Sequence, residues 1–349
     1  MPLIGESSGP RLARGGERLH AFGRSIGPFA LGLAVFAIVL LAFGKNPLRA
    51  YVDIFTSTLG SWYGLSETLV KMIPLVLAAV AVAVPSKIWL INVGGEGQLY
   101  VGALFATWGA LTLGHWPAFV VLPVMAALGV IGGGVWAALP GILRARGWVS
   151  ETISTLLLNY VAILLVNFVV FGPWKDPEGV NYPQTAEFTA AATLPALGTS
   201  RVHLGLAFAA AAVLLFGFVV ARTRWGLEMR AIGGNPEAAR RMGLPIGRYV
   251  VLLMFIGGGL AGLAGMSEVS AVQGRLRPSV SPGYGYTGFL ISWMAGGRPV
   301  AIVAAAFLLA MIAAGGDILQ MTQSLPASVV NILMAVILFV VLGRRGDAR

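Results

Sequence analysis

Apolar runs long enough to cross a bilayer recur along this chain, separated by short polar stretches rich in arginine, glycine and proline. The pattern predicts an all-α, polytopic helical membrane protein of about ten transmembrane helices. The runs fall at Ile26–Phe43, Leu69–Val84, Leu99–Leu113, Phe119–Leu143, Ile153–Phe171, Leu204–Val220, Val250–Ala271, Tyr286–Met294, Val300–Ala314 and Ala327–Leu342. The second, third, eighth and ninth are short, or are broken by Gly and Pro. The expected organisation is a basic N-terminal tail (residues 1–25), a transmembrane domain (26–342) holding a polar loop at 222–248, and a short tail (343–349).

Composition agrees with the pattern. The 349 residues are 57% hydrophobic and 11% charged, against about 25% charged in soluble domains. The net charge of +10 follows the positive-inside rule rather than a nucleic-acid-binding face. With the N-terminus inside, seventeen basic residues fall on the cytoplasmic side and seven outside. Both termini are then cytoplasmic. Arg11, Arg14, Arg18 and Arg24 before the first apolar run resemble a signal peptide, but no small-x-small site closes the run, so a retained first span is expected. Asn46 to Ser66 reads as an interfacial segment on the outer surface, and Gly172 to Arg201 as a turn-rich external lid.

The stretch from Arg222 to Arg248, RTRWGLEMRAIGGNPEAARRMGLPIGR, is a long, strongly basic polar run between two apolar segments. Its second half carries the signals of a short capped helix. Asn235 stands at the N-cap, Pro236 at the first helical position and Glu237 in the first turn. Ala238 and Ala239 continue it, Arg240 and Arg241 occupy the last turn, and Gly243 ends it. Two turns are too few to stand alone in water. The segment is either a basic membrane loop or a docking element for a soluble partner.

Candidate chemistry is sparse. There are no cysteines, no G-x-x-x-x-G-K-[ST] loop, no paired histidines and no nucleophile with a base, so neither an ATP site of this chain's own nor an intramembrane enzyme is supported. No cofactor or metal is expected. Polar residues within apolar segments carry more information, because each is costly in hydrocarbon. Asn92, Glu96 and Gln98 stand in the glycine-rich NVGGEGQ between the second and third runs. Glu151, Thr155 and Asn159 share an arc of about 80° on the fifth. Glu268 follows the glycine-rich GGGLAGLAG of the seventh, and Trp293 offers a stacking surface in the eighth. Each can line a solute path, and each can equally be a hydrogen bond between helices. The glycine runs at Gly129–Gly134 and Gly257–Gly265 predict close helix approach.

Taken together, these stretches resemble the permease subunits of bacterial ABC importers in the branched-chain amino acid and simple-sugar class, and most closely the nucleoside-type members. The likeness extends from about Asn46 to Leu342. It rests on INVGGEGQLYVGA (Ile91 to Ala103), ETISTLLLNYVA (Glu151 to Ala162), GPWKDP (Gly172 to Pro177), and GGNPEAARRMGLP followed by GGGLAGLAG. In one departure, Thr287 stands where the family often has Asp after Gly-Tyr-Gly. The resemblance implies that Asn235 to Gly243 is the coupling helix that docks on a separate ATPase, where ATP binds. It also implies a second, related permease subunit, an extracytoplasmic substrate-binding lipoprotein, and a bacterial inner membrane. The competing reading from the residues alone is an ion-coupled carrier of small polar solutes, with Glu268 in ion binding.

Overall fold

The computed structural model describes residues 31–179 and 182–323, together with 326, 332, 335 and 336. The described residues form helices joined by turns, and their only β pairing is an isolated bridge between Ala196 and His203. The expected tails at 1–25 and 343–349 lie outside them, as does nearly all of the run at Ala327–Leu342.

Two compact units divide the chain, residues 1–53 with 316–349, and residues 54–315. In the first, α1 (Leu31–Ala42) and the start of α2 (Pro47–Leu59) meet at a bend of 115°. The Gln323 side-chain amide donates to Asp53 at 2.8 Å.

The second unit holds α3 (Trp62–Ser86), α4 (Gly95–Leu113), α5 (Ala118–Ala145), α6 (Glu151–Phe171), α7 (Gly205–Arg222), α8 (Arg224–Gly234), α9 (Pro236–Arg241), α10 (Ile246–Ser267), α11 (Tyr284–Ala295) and most of α12 (Pro299–Gln323). Ser61 caps α3 by accepting from the Gly64 N–H at 3.0 Å. From Met72 to Pro85 every residue of α3 is buried, as expected of a helix that is apolar all round. By contrast α6 and α7 bury only about one side and present Leu157, Leu164, Phe168, Leu214 and Phe218 outward.

The glycine runs bring α5 and α10 into backbone contact, as their sequence predicts, and α4 joins them through Gly102. A Cβ at Gly102 would lie 2.2 Å from the Gly262 Cα, and one at Gly262 would lie 2.1 Å from the Gly129 carbonyl oxygen. In lipid, where burial of apolar area gives little drive, such close packing supplies the association.

Among the described residues, six helices are long and apolar enough to cross a membrane: α3, α5, α6, α7, α10 (continued to Gln273) and α12. The bent pair α1–α2, taken as one broken span, makes a seventh. Of the ten predicted runs, the third and eighth correspond to helices that do not pass that measure. At 12 residues, α11 extends only about 18 Å. The polar segment from Asn46 is helical over Pro47–Leu59, and the following helix begins at Trp62, seven residues before the predicted run.

Candidate functional site

Between α3 and α4 the chain leaves the helical path for a short stretch, and most of the polar residues singled out by the sequence converge there. Ser86 ends α3 and Lys87 caps it. Asn92 and Gln98 exchange a reciprocal pair of side-chain bonds, at 3.0 Å and 2.8 Å. The Asn92 oxygen also accepts from the Gly94 N–H at 3.0 Å, closing the turn that starts α4.

The facing side of this loop is α6. Glu151, Thr155 and Asn159 fall on one face of that helix at i, i+4 and i+8, and all three are buried. Glu151 accepts from the Ile91 N–H at 3.3 Å and pairs with Arg144 at 3.0 Å. Thr155 Oγ1 accepts from the Val93 N–H at 3.3 Å. Asn159 accepts from the Gly97 N–H at 2.8 Å and donates to the Val93 carbonyl at 2.9 Å. Three side chains thus satisfy backbone groups that a broken helix would leave unpaired.

Glu96 reaches the other way. Its carboxylate accepts from the Gly285 N–H at 2.7 Å and is surrounded by the Ser281 hydroxyl and the Gly283 and Tyr286 backbone. A carboxylate at a helix N-terminus satisfies orphan N–H groups and complements the dipole, so Glu96 of α4 caps α11. Ser281 completes the cap, accepting from Tyr284 and Gly283 at 2.8 Å and 3.1 Å.

Glu268 and Trp293 stand apart from this cluster. Glu268 opens a π-helical turn, Glu268–Gln273, that ends at Gly274 with φ of 63°. It is 7% exposed, with the Gln273 side chain against it and the Lys71 charge near. Within the same turn, Ser270 donates to the Ala192 carbonyl at 2.6 Å and accepts from the Leu194 N–H at 3.1 Å. The long loop after α6 is thereby pinned to α10; Ser270 was not among the residues singled out by sequence. Trp293 is 42% exposed, its ring tilted against Phe289 with centroids 5.6 Å apart.

The polar run after α7 is helical in both halves. The first half, α8, is capped by Thr223, which accepts from the Gly226 N–H at 3.2 Å. The second half, α9, follows the expected grammar. Asn235 Oδ1 accepts from the Ala238 N–H at 3.0 Å, Pro236 leads, and Gly243 has φ of 81°. Glu237 pairs with Arg241 at 3.4 Å and more loosely with Arg240 at 4.0 Å. Only Ala239 of α9 is buried, so the helix presents Glu237, Ala238, Arg240 and Arg241 outward. Trp89 ties this region to the α3–α4 loop, its indole N–H donating to the Gly233 carbonyl at 2.6 Å.

Residues 64–342 match the model of the family described as branched-chain amino acid transport system / permease component. The chain belongs to this permease family. Among its relatives, the permease is 38% identical to a glucose ABC transporter permease protein of Haloferax volcanii, over 92% of this chain and 87% of the relative. It is 32% identical to a guanosine ABC transporter permease protein of Bacillus subtilis, over 89% and 90%. A nucleoside ABC transporter permease protein of Lactococcus lactis is 30% identical, over 88% and 87%. The latter two organisms each have a second permease protein named for the same solute, 24% and 23% identical to this chain. The permease is therefore a multi-pass membrane subunit of an ABC transporter, a transport component rather than an enzyme. Its family implies an ATPase partner and related permease subunits. The ion-coupled alternative is set aside by this membership.

Proposed function

We propose that this permease carries nucleosides or related sugar-like solutes inward, powered by ATP hydrolysis on the partner subunit. The observation that carries the substrate class is the set of solutes named for the relatives: glucose, guanosine and nucleosides are neutral and hydroxyl-rich. The geometry of the α3–α4 break supports it. The N-termini of α4 and α11 meet at Glu96 and Gly285, a place where helix dipoles would otherwise favour an anion. The protein's own carboxylate occupies it, which suits a solute without charge.

In this reading Trp293 and Glu268 contribute to the wall of the path, Trp293 as a stacking face and Glu268 as an acceptor for hydroxyls. Asn92, Glu96, Gln98, Glu151, Thr155 and Asn159 shape the path by holding the loop that borders it. The segment from Asn235 to Gly243 is the coupling helix of a transmembrane domain over 26–342, and it docks on the ATPase. A second, distinct permease completes the path, as the paired relatives suggest, and an extracytoplasmic binding lipoprotein delivers the solute. About ten spans with both termini cytoplasmic, in a bacterial cell membrane, complete the proposal.

Uptake into vesicles holding the whole complex tests the substrate. Labelled guanosine or glucose should accumulate only with the ATPase present, and a labelled branched-chain amino acid should not. Accumulation of the amino acid alone, or guanosine uptake that survives loss of the ATPase, would overturn the reading. Because the chain lacks cysteine, single cysteines report sidedness without background. One at Arg230, which is exposed, should be protected from impermeant reagents in intact cells, and one at the exposed Thr199 should label. The reverse pattern inverts the topology.

A further inference from the structure

Trp89 is the only non-glycine residue with positive φ among those described, at 62°. Outside glycine, and for a bulky residue above all, that conformation is costly and persists where the surroundings impose it. Those surroundings are specific. Trp89 is 65% exposed, yet its indole N–H is fixed on the Gly233 carbonyl, two residues before the N-cap of α9. The two backbones also touch here, since a Cβ at Gly233 would sit 2.4 Å from the Lys87 carbonyl oxygen.

The residues on either side of Trp89 hold both ends of α11. Before it, the Lys87 ammonium donates to the Gly297 carbonyl at 3.0 Å, just past the C-cap of α11. After it, Glu96 caps the N-terminus of the same helix. Ten residues therefore clamp a helix about 18 Å long, which is well within the reach of an extended chain of that length. Along one side, α11 packs on α3 through Gly288, where a Cβ would lie 2.5 Å from the Ala78 Cβ.

We propose that residues 87–96 form a strap that makes α11 follow the end of α8 and so α9, with Trp89 the positioning residue that joins them. A displacement of α9 by the ATPase shifts Gly233. The indole bond carries the shift into the strap, and the two end contacts carry it to α11, which bears Trp293. This deepens the coupling reading and rests on α9 being the docking element. It requires no covalent step, and the contacts form one continuous physical chain; a measured change in coupling is what establishes such a chain as functional.

The test uses the complete complex in proteoliposomes, with labelled guanosine and, in parallel, labelled glucose as the probes. Trp89→Phe keeps the ring and removes the N–H donor. Lys87→Met keeps the stem and removes the bond to Gly297. Both variants should retain the ATPase on co-purification and retain its basal hydrolysis. Solute accumulated per ATP hydrolysed should fall about two- to tenfold, the equivalent of one lost hydrogen bond. That ratio does not respond to a residue that merely stabilises the fold or anchors the membrane interface. An unchanged ratio in both variants overturns the strap. Loss of the ATPase from Trp89→Phe also overturns it, by making Trp89 part of the docking surface. Reversal of Glu237 and Arg240 examines the parent reading separately: if the ATPase still co-purifies, α9 is not the docking element.

Discussion

Asn159 and Gly97, 62 positions apart, are placed so that each requires the other. The amide oxygen of Asn159 accepts from the Gly97 N–H at 2.8 Å. A Cβ at position 97 would lie 2.8 Å from the Asn159 Cα and 2.9 Å from that same oxygen. A residue other than glycine would push α4 off α6 and break the bond together. The broken segment and its support are thus matched at the scale of a single methyl group.

Substitution of Asn159 consequently acts on the fold of the loop before it acts on any solute. Asn159→Leu leaves the buried Gly97 N–H and the part-buried Val93 carbonyl without these partners, at about 1–3 kcal/mol for the buried group and less for the other. The expected result is a lowered thermal midpoint for the purified permease and a large loss of uptake. Asn159→Asp keeps the acceptor for Gly97 and loses the donor to Val93, so it still loses stability. A normal midpoint with lost uptake in Asn159→Leu would instead place the side chain in contact with solute.

Coupling is predicted to depend on the outward face of α9. Reversing the charges of Glu237 and Arg240 should leave insertion in the membrane intact and abolish ATPase docking and transport. Gly243→Val tests the helix stop. No neighbour lies within 4 Å of a Cβ at Gly243, but its φ is 81°, so the cost is backbone strain of about 1–3 kcal/mol, taken up locally. Full ATPase stimulation in both variants would remove α9 from the coupling role.

His203, just before α7, predicts that the loop entering α7 is acid-sensitive. It is 3% exposed, its Nδ1 accepts from the Gly205 N–H at 3.2 Å, and its buried Nε2 has no partner. Burial pushes the imidazole down from its ordinary 6.5 to about 4. Between those values the unfolded chain binds the proton and the folded one does not. Stability is therefore fully present above pH 6.5 and falls as pH drops toward 4, by about 3 kcal/mol. Thermal unfolding at pH 7.5 and 4.5 measures it. His203→Phe should shrink the difference between the two midpoints, and an equal difference in both proteins would assign the acid sensitivity elsewhere.

Hydropathy determined the class of this protein and most of its long helices, and the capping residues determined the place of α9, because both depend on properties local in sequence. A long apolar run must satisfy its backbone internally, hence helix. Asn235, Pro236 and Gly243 act within one or two turns of themselves, and α9 appears where they put it. The close approach of α5 and α10 was also legible in their glycine runs, whereas the part played by Gly102 of α4 was not. The tertiary structure decided what the polar residues do. Glu151, Thr155 and Asn159 share a helical face by periodicity, but only packing shows that the facing surface is the backbone of residues 91–97. That Glu96 caps a helix 189 residues further on leaves no trace in local pattern, because a hydrogen bond is formed by whatever the fold brings within 3 Å. Trp89 is the clearest instance. The sequence did not single it out, and its backbone conformation and its bond to Gly233 exist only once α3, α8 and α11 have packed.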